Sequence, residues 1–386
     1  MTESEPLMAT LFAEVLRDTH RYVPGREHRR PTLTPGAEQR WRRALGAGTE
    51  IGRDALERAA ARMGFTHGHF DPDVAGRRLA EVAKHSEGLE ETYARLSDEH
   101  SRRAMLDMLK LRVLGPYHAK LAITPQAFRA KQADVERVMC AEAATFDVSD
   151  PWFSPLSLYR IPMPDGSSVT MHGHSVELVS LFLLGQYRYT RGRVAVDVRP
   201  GDVVLDIGGC WGDTALYFAH LVGSAGKVYT FEFDPESLSI LRANLELNPE
   251  LAARVEVVER AVWERSGETL EFSQAGLCTA LTDGADGGMP VESVTVDDFV
   301  EGAGITRLDL IKMDVEGAEG NVLRGAQASI ERFGPNLAVA AYHHDDDLVT
   351  IPRAVPGASE LFLDSYSPLE DETVLFARPT ARSSST

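Results

Sequence analysis

The clearest chemical signal in the sequence is a glycine-rich run placed between two carboxylates. Asp206 lies near the end of an apolar segment, Gly208–Gly212 follows, and Asp213 comes directly after the last glycine. Glycine lets the backbone adopt special conformations and approach a ligand closely. In sheets of parallel strands, ligands bind beyond the carboxyl ends of the strands. The pattern therefore predicts a strand that ends in a ligand-binding loop and continues into a helix.

The spacing of the glycines limits the choice of ligand. Neither frame of a dinucleotide fingerprint fits, because Cys210 and Asp213 occupy the second and third glycine places when the count starts at Gly208. A phosphate-binding loop with its lysine is absent from the sequence as well. Carboxylates on both sides of the loop would repel a pyrophosphate but suit a ligand with an ammonium and a sulfonium group. S-adenosylmethionine is such a ligand.

A third carboxylate, at the end of the next apolar segment, supports a ligand that contains a nucleoside. Glu232 ends another apolar segment and lies 24 residues after Gly208. An acid about 20 residues beyond a glycine loop is placed to accept hydrogen bonds from ribose hydroxyls. Asp234 precedes Pro235 and is predicted to cap the next helix rather than to bind a ligand.

The elements that must position these residues alternate between strands and helices. From residue 202 onward, apolar segments of strand length are separated by amphipathic segments of ten to fifteen residues. Such alternation predicts a parallel sheet with helices on both faces. The predicted fold class is α/β, a doubly wound Rossmann-like sheet with an N-terminal helical domain.

Three domains or segments are predicted. Residues 1–145 are rich in Ala, Leu, Arg and Glu at helical spacing, and we expect a helical domain without a sheet that serves as a substrate lid or in oligomerisation. Residues 146–195 are expected to form a hairpin that turns on Asp165–Gly166 and a connecting helix at Ser175–Tyr189. Residues 196–386 are expected to form the cofactor-binding domain.

Composition and charge exclude several classes of protein. The 386 residues carry a net charge of −18, and residues 146–386 hold 37 acids against 17 bases. A nucleic-acid partner is disfavoured because such binding depends on clustered Lys and Arg. We expect no membrane partner and a cytoplasmic protein, since the sequence has three cysteines, no signal-peptide pattern and no apolar stretch of membrane-spanning length.

At these residues the chain resembles the FkbM-type family of S-adenosylmethionine-dependent methyltransferases. The resemblance runs from about residue 200 to residue 378, and its most specific part is Lys312–Glu319. The other segments that carry it are DIGGCWGDTALYFA (206–219), GKVYTFEFDP (226–235), the helix end Asn244–Asn248, ERAVWERSGE (259–268), AAYHHDDDLVTIP (340–352) and DETVLFA (371–377).

The resemblance implies roles for individual residues. Asp206 and the glycine loop would surround the methionine part of the cofactor, Glu232 would hold the ribose, and Asp314 would face the point of methyl transfer. The expected cofactor-binding residues are Asp206, Gly208, Gly209, Cys210, Gly212, Asp213, Thr214, Glu232, Phe233, Arg260 and Ala261. The resemblance also implies that the doubly wound sheet is of the class I methyltransferase type. A valine at Gly208 is expected to affect the ligand alone and to leave the cofactor-free protein nearly as stable.

Candidate catalytic residues follow the two strands that flank the predicted cleft. Methyl transfer to a hydroxyl needs in-line alignment and a base to remove the hydroxyl proton. Asp314 follows one strand, and His343 and His344 follow the next. Histidine titrates nearest neutral pH, so one of the two histidines is the predicted general base. The sequence does not decide which of them faces the cleft.

A metal site is the weaker alternative at this edge. Asp345, Asp346 and Asp347 follow the histidines, and such carboxylates together with Asp314 would suit Mg²⁺. The three acids would equally cap the next turn, so we expect turnover without a metal. At least one of Glu316 and Glu319 is expected to be structural, since acids are favoured in the first turn of a helix.

The predicted function is O-methylation of a hydroxyl on a small metabolite, a sugar or a secondary-metabolite scaffold. Two alternatives stay open from the sequence. In the first alternative, the methyl acceptor is a nitrogen or a carboxylate instead of a hydroxyl. In the second, the protein binds the cofactor without catalysing a reaction. The helical N-terminal domain would be the place for contact between identical chains.

Overall fold

The fold is described by a computed structural model that covers most of the chain. It describes residues 6–20, 72–115, 118–149, 154–192, 194–273, 280–282, 289–357 and 359–379. The chain divides into two compact units. The first comprises Met1–Ala130 and Leu363–Glu372, and the second comprises Lys131–Phe362 and Thr373–Thr386.

The first unit is helical in its described part, as the sequence predicts. Its helices are Leu7–His20, Pro72–Lys84, Ser86–Arg95 and Glu99–Leu114, and Pro125–Val138 begins near its end. Asp98 caps the helix Glu99–Leu114 by accepting a hydrogen bond from the backbone N–H of Ser101 at 2.8 Å. Residues 21–71 lie outside the described residues. The role of this unit as a lid or in oligomerisation stays a prediction.

One strand lies where the sequence predicted only helices. Strand β1, Cys140–Phe146, pairs antiparallel with β2, Leu156–Pro162, which pairs with β3, Ser168–Gly173. Most side chains of β1 are exposed, so the segment lacks the alternation that would have shown a strand. The hairpin of β2 and β3 turns on Asp165–Gly166 as predicted.

The predicted connecting helix is much shorter than expected. It consists of one turn, Ser175–Leu178, followed by a π-helical turn, Val179–Leu183. Gly185 and Tyr187 then adopt positive φ angles of 74° and 65°. These left-handed residues end the helix. A short antiparallel pair follows, β4 at Tyr189–Arg191 and β5 at Val194–Val196.

The second unit is built on a seven-stranded sheet. Five neighbouring strands are parallel, and one strand beside them is antiparallel. The strand order is β15-β16-β14-β13-β6-β7-β8. The strands are β6 Val203–Ile207, β7 Lys227–Phe231, β8 Val255–Val258, β13 Leu310–Met313, β14 Asn336–Ala340, β15 Ser359–Ser365 and β16 Thr373–Pro379.

Helices connect these strands, and a smaller sheet accompanies them. The α-helices are Asp213–Val222, Pro235–Glu246, Pro249–Ala252, Val296–Gly302, Glu319–Arg324, Gln327–Phe333 and Asp347–Ala354, with a short 3₁₀ turn at Gly223–Ala225. The smaller sheet has the order β11-β10-β12-β9. Its strands are β9 Ala261–Val262, β10 Thr269–Ser273, β11 Ala280–Thr282 and β12 Met289–Val294. Asp234 caps Pro235–Glu246, as predicted, by accepting from the N–H of Ser237 at 2.8 Å.

The strand order places the candidate site. From β6 the chain moves outward in one direction through β7 and β8, and it then returns to β13 and continues through β14 on the other side. The connection therefore reverses between β6 and β13, and ligands of such sheets bind at this reversal. The predicted α/β fold class is confirmed. No helix among the described ranges is long and apolar enough to cross a membrane.

Candidate cofactor and methyl-acceptor site

The glycine loop lies at this reversal and touches the end of the neighbouring strand. The N–H groups of Gly208 and Gly209 both donate to the carbonyl of Phe231, at 3.1 and 2.8 Å. Gly208 has a φ of +83°, and a β-carbon there would lie 1.8 Å from the carbonyl oxygen of Asp314. Glycine is required at this position because the backbones of two strand ends approach each other.

Asp206 lies in β6, two residues before Gly208, and its side chain is fully buried. Its carboxylate accepts hydrogen bonds from the hydroxyls of Thr214 and Thr230, each at 2.9 Å. The ammonium of Lys312 lies 3.3 Å from Asp206 and donates to the carbonyl of Gly208. Asp206 and the Thr214 hydroxyl are thus engaged inside the protein, which makes them residues that position the loop.

Glu232 joins the glycine loop to the end of β7. One oxygen, Oε1, accepts from the N–H groups of Phe233 and Asp234 at 2.6 and 2.8 Å. The other, Oε2, accepts from the N–H of Cys210 at 2.9 Å and keeps one lone pair for a ligand hydroxyl. Burial is the main cause that raises the pKa of Glu232 to about 7, and the nearby Asp234 adds to it.

The remaining predicted cofactor residues surround the loop. Burial raises the pKa of Asp213, at the start of its helix, to about 6 even though Lys312 opposes the shift. Burial also raises the pKa of the Cys210 thiol. Two desolvated carboxylates at one loop favour a ligand that brings positive charge.

Three further residues expected at the cofactor, Phe233, Arg260 and Ala261, follow the ends of β7 and β8 in the chain. Phe233 packs edge-on against Phe272, with ring centroids 4.8 Å apart. Arg260 lies 3.4 Å from Glu292 and lines an open cavity of about 340 Å³ together with Phe299. Ala261 is buried in β9.

Asp314 is held by two tyrosines at the other side of the reversal. The hydroxyl of Tyr187 donates to Asp314 Oδ2 at 2.5 Å, and the hydroxyl of Tyr342 lies 3.4 Å from both oxygens. Lys312 lies over the ring of Tyr187, 5.1 Å from its centroid. Asp314 is therefore connected through Tyr187 and Lys312 to the carboxylate below the glycine loop.

His343 lies among three carboxylates, and only 8% of its side chain is exposed. Its Nε2 is 3.4 Å from Asp314 and 3.5 Å from Glu316, and its Nδ1 is 3.0 Å from Glu319. Burial by itself lowers the pKa of His343, but Glu319, Asp314 and Glu316 outweigh it and raise the pKa to about 10. In this arrangement the imidazole is a poor proton acceptor.

His344 is exposed and has a different environment. Its Nε2 lies 3.2 Å from the carbonyl of Gly317, which can only accept, so Nε2 carries the hydrogen and Nδ1 keeps its lone pair. Gly317 has a φ of +95°, and a β-carbon there would lie 2.3 Å from this ring. Asp347 accepts from the backbone N–H of His344 at 2.8 Å.

Several contacts of the site were not predicted. Tyr187 carries no local signal, because it reaches Asp314 from 127 residues away through a left-handed backbone conformation. At least one of Glu316 and Glu319 was expected to be structural, and both lie close to His343, at 3.5 and 3.0 Å. Lys312 was expected to pair with Asp314 or an adjacent acid, and its ammonium lies 3.3 Å from Asp206. A buried lysine inside an apolar strand was the signal that such a pair exists.

The Asn244–Asn248 segment also supports the loop. The amide of Asn244 donates to the carbonyls of His172 and Trp211, each at 2.9 Å, and accepts from the N–H of His172 at 2.7 Å. Asn248 repeats the exchange with Thr170, at 2.9 and 2.6 Å. The two amides thereby attach β3 to the segment at the end of helix Pro235–Glu246. Asn244 in addition holds the carbonyl of Trp211 in the glycine loop.

The fold and the loop define a Rossmann-like protein of the methyltransferase type. Residues 196–362 match the model of the methyltransferase FkbM domain. This match confirms the resemblance to the FkbM-type family that the sequence predicts for this part of the chain.

Two relatives of this chain are methyltransferases that act at oxygen, according to their names. The chain is 29% identical to the 2-O-methyltransferase NoeI of Sinorhizobium fredii, over 35% of this chain and 61% of that protein. It is 29% identical to the 31-O-demethyl-FK506 methyltransferase FkbM of Streptomyces tacrolimicus, over 35% of this chain and 63% of that one. The match thus spans about three fifths of the length of these relatives. A solved structure, methyltransferase FkbM from Methylobacillus flagellatus, aligns with a TM-score of 0.48 at 15% identity and covers 88% of this chain and 77% of its own.

Proposed function

We propose that this protein is an S-adenosylmethionine-dependent methyltransferase that methylates a hydroxyl group of a small molecule. The observation that carries the proposal is the glycine loop at the reversal of the sheet, bordered by Glu232 and Asp213. The names of two relatives, which specify methylation at oxygen, support a hydroxyl acceptor.

The residues present fit this cofactor. Both Glu232 and Asp213 have pKa values raised by burial, so a ligand with positive charge would stabilise their ionised forms. Gly208 and Gly209 leave room for a ligand at the backbone, and Oε2 of Glu232 has a free lone pair for a ribose hydroxyl. When bound, S-adenosylmethionine supplies an electrophilic methyl carbon.

The protein would supply alignment and a base. Alignment of the reacting groups contributes about 7–11 kcal/mol in well-oriented systems, and Asp314, fixed by Tyr187 and Tyr342, is a rigid group at the transfer side. The base is proposed to be His344, because its Nδ1 keeps a lone pair while its ring is exposed. His343 would act as a positioning residue, since carboxylates enclose its ring.

Removal of the Glu232 side chain is expected to weaken S-adenosylmethionine binding by about 1.5–3 kcal/mol, the range for hydrogen bonds to a charged group. Calorimetric titration of Glu232→Ala measures this directly. Glu256→Ala is a suitable control because Glu256 is an exposed acid on the neighbouring strand β8. Unchanged affinity in a folded Glu232→Ala variant would remove the assigned ribose contact.

The same titration is expected to depend on pH. The pKa of Glu232 is raised to about 7, so its carboxyl is mainly protonated at pH 6 and mainly ionised at pH 8. The ionised form accepts hydrogen bonds from the ligand, so affinity should increase as the pH rises through 7. Glu232→Ala should lose this increase, whereas Glu256→Ala should retain it. An affinity that decreases over this range in the native protein would contradict the assignment.

His344→Ala is expected to lower kcat by at least about 100-fold, the low end for general-base catalysis. Affinity for S-adenosylmethionine should not change, because the histidine contacts the acceptor only. Imidazole added to the assay should restore part of the activity, which a merely structural role would not allow. A His344→Ala variant within twofold of the native rate would exclude His344 as the base.

A further inference from the structure

A cluster of three carboxylates and one imidazole lies at the carboxyl ends of β13 and β14. Asp314, Glu319 and His343 each place one ligand-type atom within 4.8 Å of the other two. Glu316 adds a third carboxylate, 3.5 Å from His343 Nε2. The sequence-based metal hypothesis shares Asp314 with this cluster but combined it with Asp345 or Asp346, which follow His344 directly in the chain, rather than with Glu319.

Several buried polar atoms of this cluster are unsatisfied, although Glu319 Oε1 accepts from the backbone N–H of Val315 at 2.9 Å and lies 3.0 Å from His343 Nδ1. Among the described residues, neither ring nitrogen of His343 has a hydrogen-bond partner, and Glu319 Oε2 has none either. The side chains of His343 and Glu319 are only 8% and 1% exposed. Buried polar groups in native proteins are nearly always satisfied, and an unsatisfied one costs about 1–3 kcal/mol. Because one ligand-type atom of each of Asp314, Glu319 and His343 lies within 4.8 Å of the other two, a single ligand among them would satisfy several groups at once.

The surrounding charges favour a cation as that ligand. Three carboxylates face His343, and a fourth acid, Asp347, interacts with Glu319. Against these four acids stand the imidazole of His343, which can carry one positive charge, and the ammonium of Lys312, which is engaged with Asp206 and with the carbonyl of Gly208. A cation placed among the carboxylates would therefore balance charge that the described side chains leave in excess.

We propose that Asp314, Glu319 and His343 bind one divalent first-row transition-metal ion of the Mn²⁺ type. Imidazole together with carboxylate is a donor set that such ions accept, whereas Mg²⁺ and Ca²⁺ prefer oxygen ligands alone. Glu316 contributes negative charge beside the ion and contacts the imidazole. A metal on a ring nitrogen takes the place of the proton there, so binding of the ion releases a proton. The sequence-based expectation concerned turnover without a metal, whereas this proposal concerns the binding of a metal ion at the site.

The test uses the full-length protein, freed of metal with EDTA and desalted, and titrated with MnCl₂. Calorimetry and electron paramagnetic resonance should show one saturable Mn²⁺ per chain. Spin-echo modulation should show a nitrogen coupled to the bound Mn²⁺, which indicates an imidazole ligand, and the loss of this coupling in His343→Gln assigns it to His343. This readout requires neither a cofactor nor an acceptor, so it is independent of the proposed methyltransferase activity.

Variants make the assignment specific. His343→Gln and Glu319→Gln should each weaken Mn²⁺ binding at least about tenfold, and His343→Gln should abolish the nitrogen coupling. Asp345→Asn is the matched control, because it removes an exposed carboxylate from the adjoining loop and should leave affinity within twofold. Mn²⁺ should also raise the Tm of the native protein, since a ligand that binds only the folded state stabilises it.

Three results would overturn the proposal. The first is the absence of saturable Mn²⁺ binding to the native protein. The second is Mn²⁺ that binds without nitrogen coupling, which would indicate surface carboxylates only. The third is an equal loss of affinity in Asp345→Asn and in a folded His343→Gln variant. The spin-echo result on the native protein decides the question even if a variant fails to fold.

Discussion

Lys312→Met is expected to destabilise the folded protein by about 3–5 kcal/mol, the cost of removing one partner of a buried ion pair. Lys312 is 2% exposed and Asp206 is fully buried. The ammonium also donates to the carbonyl of Gly208 at the start of the glycine loop. Without it, the Asp206 carboxylate would keep only the hydroxyls of Thr214 and Thr230.

Urea denaturation measures this effect. Lys227→Met is the matched control, because Lys227 pairs with Glu256 on the surface and such pairs contribute about 0–1 kcal/mol. Combining Lys312→Met with Asp206→Asn should recover part of the lost stability, since the buried charge is then removed as well. A Lys312→Met variant no less stable than Lys227→Met would show that Asp206 does not depend on the lysine.

Gly208→Ala is expected to abolish S-adenosylmethionine binding and also to lower the stability of the protein. Adopting a positive φ costs an L-residue about 1–2 kcal/mol. The methyl group would in addition lie 1.8 Å from the carbonyl oxygen of Asp314, so the ends of β6 and β13 must separate. This corrects the sequence-based expectation that a side chain at Gly208 would disturb the ligand alone.

Gly201→Ala separates the two costs. Gly201 has a φ of +89° in the same unit, but a β-carbon there would have no atom within 4 Å. Gly201→Ala should therefore show only the backbone cost and should bind the cofactor normally. Thermal unfolding together with calorimetric titration compares the two variants. Equal stability of both, or normal binding by Gly208→Ala, would mean that Gly208 forms a turn without a role in the site.

The cofactor side of the site could be predicted because its signals are local. Glycines next to an apolar strand and a carboxylate at the end of the following strand lie within 27 positions of one another, from Asp206 to Glu232. Two such strands must be neighbours in a parallel sheet, and β6 and β7 are. The hairpin turn at Asp165–Gly166 and the cap at Asp234 follow from turn and capping chemistry that the sequence displays.

The acceptor side could be predicted only in part because it depends on contacts distant in sequence. The strand ends near Asp314 and His343 were expected to meet, and β13 and β14 are paired. A sequence pattern does not give the direction in which each side chain points. The contacts of Glu316 and Glu319 with His343 could therefore not be predicted from their place at the start of a helix. Tyr187 reaches Asp314 through a positive φ angle that the side chain itself does not indicate.

The central claim, methyl transfer from S-adenosylmethionine to a hydroxyl, is tested most directly by isotope transfer. The purified protein is incubated with methyl-labelled S-adenosylmethionine and a metabolite extract of the organism from which the chain comes, with Glu232→Ala in parallel. We predict a labelled small molecule whose methyl group resists alkaline hydrolysis and lies on oxygen by NMR, formed much more slowly by Glu232→Ala. Label released by alkali as methanol would indicate a carboxylate acceptor, and label on nitrogen would indicate an amine. A protein that binds S-adenosylmethionine but labels nothing would contradict the assignment as an enzyme.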